Sequence, residues 1–172
     1  MKIRVTLAIL SVLVVLGIVV CTAYNWKPVT IVKDLKLNDL IKAGIQLKVE
    51  QSRSEFQLAL LVMGGLWALM IAKKDEASIV LSDSPELILF FSANLLLLMS
   101  CAFHILYIED IAYIYSLAGG IVGGSSVPDV FGSEINNPYR FQLWSLLGGI
   151  LVTALTLLSA HKLKGDKNAK NS

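Results

Sequence analysis

The chain has little of what soluble enzymes build their chemistry from. Its 172 residues hold only two cysteines, Cys21 and Cys101, and two histidines, His104 and His161. No CxxC pair occurs, so neither a zinc site nor a dithiol redox centre has sequence support. Charge is also scarce. Only 16% of the residues are Asp, Glu, Lys or Arg, against about 25% in soluble domains. The formal net charge of +2 is far from the basic footprint of a nucleic-acid binder. No nucleic-acid partner, cofactor or metal is expected, and no internal repeat is present.

What is abundant is apolar sequence, 55% of the chain. Four runs are long enough to cross about 30 Å of hydrocarbon, which takes roughly 20 helical residues. They are Val5–Tyr24, Phe56–Ala72, Leu87–Tyr107 and Phe141–Ala160, and none carries a charged residue in its interior. The expected fold is an all-α membrane domain, a bundle of four transmembrane helices. The first run follows Lys2 and Arg4 as a signal peptide would, but Val19-Val20-Cys21 is not a small-x-small cleavage site, so it reads as a retained span.

Orientation follows from Lys and Arg beside the spans. With four spans, Lys2, Arg4, Lys73, Lys74, Lys162, Lys164, Lys167 and Lys170 share one side, in the tails and one short loop. The other seven cations face them, six along residues 25–55 and Arg140 in the last loop. Short loops and tails dominate, so both termini are expected in the cytoplasm, with the protein in a plasma or inner membrane. Residues 161–172 read as a basic cytoplasmic tail.

The two outer segments differ in pattern. "YNWKP", with Tyr24 and Trp26, suits the headgroup level, and Pro28 ends the first helix. Leu40, Ile41, Ile45 and Val49 recur at helical spacing after Asn38 and Asp39. One helix could therefore run from about Asp39 to Ala72, or an interfacial amphipathic helix could bend near Gly44. Ser84-Pro85-Glu86 is a helix start: a hydroxyl cap, a proline where no amide hydrogen is needed, and an acid at the positive dipole end. Residues 108–140 begin as an interfacial helix with Tyr113 and Tyr115, then break up around glycines, Pro128 and Asn136-Asn137-Pro138. Both outer segments, 29–54 and 108–140, hold apolar side chains that water disfavours by roughly 1.5–3 kcal/mol each. Ile31, Val32, Leu40, Ile41 and Ile45 in one, and Ile114, Leu117, Ile121, Val130 and Phe131 in the other, predict a partly helical cap shared by the two.

Small residues mark packing faces. Gly64, Ala68 and Ala72 recur every four residues, and Ser145, Gly149, Thr153, Thr156 and Ala160 share an arc of the last span. Such faces let helix backbones approach closely in lipid. Partners beyond the bilayer itself are expected to be copies of this chain or other membrane proteins.

The one cluster with chemical potential lies in "SANLLLLMSCAFHILYIED". Asn94, Ser100 and His104 sit in the third span, and Glu109 and Asp110 follow at its rim. Polar groups at membrane depth usually face the bundle interior. They read either as interhelical hydrogen bonds beneath a wet histidine, or as a ligand or proton-handling site in which a carboxylate orients His104. Catalytic motifs are missing: "AGGIVGG" is neither GxGxxG nor a P-loop. The paired aspartate motifs of lipoprotein signal peptidases are absent, and so is the outer-loop signature of claudin-like tetraspans, since "GGLW" falls inside the second span. The expectation is a non-enzymatic protein that acts by assembly, as a homo-oligomer, of which a pore is one version, or as a small subunit of a membrane complex. The competing expectation is a membrane enzyme or proton-coupled carrier built on His104 with Glu109 and Asp110.

Overall fold

In a computed structural model, the structure describes residues 2–25, 31–32, 39–71, 84–120, 127–128 and 133–170, with side chains over 5–24, 42–71, 84–115 and 136–159. The described residues form four long helices: α1 Lys2–Asn25, α2 Asp39–Ile71, α3 Ser84–Gly120 and α4 Ser133–Lys170. All four are long and apolar enough to cross a membrane. Two short strands, β1 Ile31–Val32 and β2 Val127–Pro128, pair antiparallel, with Ile31 opposite Pro128 and Val32 opposite Val127. They join the α1–α2 connection to the α3–α4 connection at one end of the molecule, called here the bridge end.

Three helices run beyond their apolar cores. α2 is a single helix through Gly44, 33 residues long, or about 50 Å at 1.5 Å per residue. The reason is a seam that never breaks register. Ile45, Ser52, Ala59 and Leu66 are all buried and lie seven residues apart, so one narrow face stays against the rest of the bundle. α3 begins at Ser84, where the Ser-Pro-Glu signal put it, and continues through Gly120. The residues read as a separate interfacial helix are its last turns, because Tyr107, Ile111 and Ile114 carry the buried stripe onward at spacings of four and three. α4 starts at Ser133, ahead of Pro138, which sits inside the helix. Its later turns run through Lys170, so residues 161–170 of the basic tail are helical.

The bundle is built around one central pair. α3 and α4 pack along their length, and α1 and α2 each lean on both of them but, among the described residues, not on each other. In an 18-residue apolar stretch of each helix, 56% of the residues are buried in α3 and 44% in α4, against 17% in α1 and in α2, so the outer two helices have mostly open surfaces. α1 contributes a single stripe, Ala8, Ser11 and Val15. The core they enclose holds Leu89, Phe90, Ala93, Leu96 and Leu97 of α3 with Leu146 and Val152 of α4.

The two small-residue faces have opposite fates. On α4, Ser145, Gly149, Thr153 and Thr156 are buried. A Cβ on Gly149 would stand 2.8 Å from Leu97 Cδ2, so this face exists to let α4 close on α3. The hydroxyls of Ser145 and Thr153 have no hydrogen-bond partner, and these residues serve the contact by their size. On α2, Gly64 and Ala68 are exposed, and nothing lies within 4 Å of a Cβ added at Gly64 or Gly65. At 100° per residue Gly64 and Ala68 lie roughly 140–180° from the Ala59–Leu66 seam, on the far side of the helix. Ala72 lies outside the described residues, as do the side chains of Ala160 and of every apolar residue named for the outer segments except Ile45 and Ile114, which are buried.

Candidate functional site

The polar residues of α3 divide between two levels. Asn94 is buried ten residues before His104, about 15 Å along the axis. It accepts a hydrogen bond from the Trp67 indole Nε1 at 2.9 Å and donates from Nδ2 to the Phe90 carbonyl at 2.8 Å. Trp67 also meets Phe90 edge to face. Asn94 therefore fastens α2 to α3 and takes no part in the cluster around His104.

That cluster joins three helices toward the bridge end. Gln142 of α4 is fully buried and reaches across to α2, where its Nε2 donates to the Ser52 carbonyl at 2.7 Å. The Ser52 hydroxyl donates back to Gln142 Oε1 at 2.5 Å. His104 Nδ1 lies 2.7 Å from the same hydroxyl. Ser100 adds a bond from its Oγ to the Gln142 carbonyl at 3.1 Å. Phe56 stacks on the imidazole with centroids 4.7 Å apart, and Arg53 stands within electrostatic reach of it.

The proton count decides what this arrangement can do. A serine hydroxyl has one hydrogen, and here it goes to Gln142. His104 must then carry hydrogen on Nδ1 and donate it to Ser52. That is the reverse of a nucleophile–base pair, in which the imidazole accepts the serine proton. Ser52 is also completely buried, so no electrophile reaches its oxygen. The cluster is a clasp whose donors and acceptors satisfy one another. Only Nε2 of His104, on a half-buried ring, is left over among the described residues.

Neither carboxylate orients His104. Glu109 is exposed and Asp110 half-buried, and no hydrogen bond joins either to the imidazole. Their spacing explains it: side chains meet on a helix at three or four residues, and these lie five and six residues on. The carboxylate built into this region is Glu55, one turn beyond Gln51 on α2 and buried. Its Oε1 accepts from Tyr139 Oη and from Gln51 Nε2, each at 3.3 Å, and Oε2 has no partner. Tyr139 in turn packs against Tyr107, with centroids 5.6 Å apart. Ser100 and His104 are thus brought together, Asn94 lies apart, and Ser52, Gln142 and Glu55 are additions the sequence reading missed. Gln142 had a visible signal, as an amide within an apolar span. Ser52 and Glu55 had none beyond proximity to one.

Cys21 is exposed and Cys101 buried. The chain has no significant match among protein-family models, curated proteins or solved structures.

Proposed function

We propose that this is a non-enzymatic integral membrane protein that works by assembling, with copies of itself or as a small subunit of a larger membrane complex. The observation that carries this reading is the outward face of α2. Gly64 and Gly65 are adjacent and have open space where side chains would go. Each glycine in a helix interior costs about 1 kcal/mol relative to alanine, and nothing among the described residues offsets that. A second helix packed closely on the face would, since small residues drive association in lipid. The clasp around His104 supports the same reading, because its groups are spent on holding helices together. In this reading both termini are cytoplasmic, and the joined outer segments form a cap on the other side. If copies conduct, the path runs between them, because α3 and α4 fill the middle of each.

Photobleaching step counts and cross-linking in native-like lipid test the proposal. Wild type should appear as a defined multimer or bound to co-purifying membrane proteins, and Gly64→Leu with Ala68→Leu should release monomers. A strictly monomeric wild type with no partner would sink it. The carrier or enzyme reading is separated by His104→Ala, which under assembly lowers stability and leaves association intact.

A further inference from the structure

Toward the bridge end, α1 and α4 diverge and leave a groove of about 390 Å³. That volume lies within the range of small-molecule sites, roughly 300–1,000 Å³. Its walls are Gly17, Ile18 and Cys21 from α1 and Phe141 and Trp144 from α4. Its mouth is polar, with Arg140 one turn and Asn137 two turns before Trp144. The floor is apolar and runs along two helices. The one cation sits at a single end, level with an exposed indole.

Arg140 is exposed and makes no ion pair among the described residues. Lys48 stands within electrostatic reach of it, its ammonium donating to Asn136 Oδ1 at 2.5 Å one turn away on α4. Arg140 is therefore the cation at the mouth of an otherwise apolar slot, in a neighbourhood that Lys48 keeps positive. A free anion would use the mouth and leave the slot unfilled, and a neutral hydrocarbon would do the opposite. A molecule with a phosphate at one end and an acyl chain at the other matches both. Guanidinium recognises phosphate with paired donors, and the Trp144 ring suits the headgroup boundary.

We propose that this groove is a binding site for one anionic glycerophospholipid, its phosphate held by Arg140 and Asn137 and an acyl chain laid along Gly17, Ile18 and Phe141. Gly17 matters because it keeps the slot open: nothing lies within 4 Å of a Cβ built there. The site is independent of the assembling face on α2, which lies on a different helix.

Cys21 supplies the probe, as an exposed thiol in the wall while Cys101 is buried. The protein is placed in nanodiscs of phosphatidylcholine with or without phosphatidylglycerol, and the rate of Cys21 modification by a maleimide is followed. Phosphatidylglycerol should slow the wild type by roughly fivefold, as expected for one cation near a lipid surface, and native mass spectrometry should find it retained. Arg140→Gln should remove both effects. Gly17→Leu, which fills the slot without touching charge, should remove lipid retention as well. Inorganic phosphate should give no protection. Equal protection by phosphatidylcholine, or undiminished retention in either variant, would overturn the proposal. Protection by inorganic phosphate alone would show a bare anion site and overturn it too.

Discussion

Replacing Gln142 with alanine separates α2 from α4 at their polar contact. Gln142 makes two side-chain bonds to α2, to the hydroxyl and the carbonyl of Ser52. Interhelical hydrogen bonds in membrane proteins average about 0.6 kcal/mol and reach about 1.7, so the pair contributes about 1–3 kcal/mol. The side chain is fully buried, and the void left adds about 1 kcal/mol. The expected loss is about 2–4 kcal/mol, read as reversible unfolding in bicelles by steric trapping. A cycle with Ser52→Ala isolates the bond between the two side chains, because the Ser52 carbonyl survives that substitution. The coupling should be about 0.6–1.7 kcal/mol. A coupling below about 0.3 kcal/mol, the scatter of independent sites, would refute the clasp as described and make the three-helix contact one of shape alone.

Gly149→Ala should destabilise the bundle by about 1–3 kcal/mol in the same assay, since its Cβ would overlap Leu97. Gly64→Ala should lower the stability of the single chain not at all, because its Cβ meets open space. Maleimide should label Cys21 in the folded protein, whereas Cys101 should react only on unfolding. A reporter fused after Ser172 should read cytoplasmic and a tag at Ser126 external, and the opposite pair would invert the topology drawn from the Lys and Arg distribution.

The four helices were legible because each apolar run is uninterrupted by charge, and hydropathy needs no partner to be read. The end of α3 was not, because Gly119 and Gly120 look like a break, while what prolongs the helix is the stripe of Tyr107, Ile111 and Ile114 finding a buried surface. At the site, Ser100 and His104 stood out as polar residues in a span. Their partners did not, since Ser52 and Gln142 lie 52 and 90 residues from the groups they bond. Glu109 and Asp110 attracted attention by nearness in the chain, and helical spacing turns them away. The roles of the two small-residue faces were equally hidden. A glycine's spacing announces a packing face, and only the neighbouring coordinates tell whether Leu97 or empty space stands opposite.

That α1 and α2 do not meet among the described residues has a consequence for how the protein is made. Many consecutive helices can pair as a hairpin as soon as the second has entered the bilayer, but the described parts of this first pair share no surface. On the membrane reading, the first half of the chain waits in lipid or at the insertion machinery until α3 arrives. Even then the clasp is incomplete, because Gln142 belongs to the last helix. Maturation is therefore committed only at the end of synthesis. A chain truncated before α4 would leave the Ser52 hydroxyl without its acceptor, marked by an unpaired polar group for quality control.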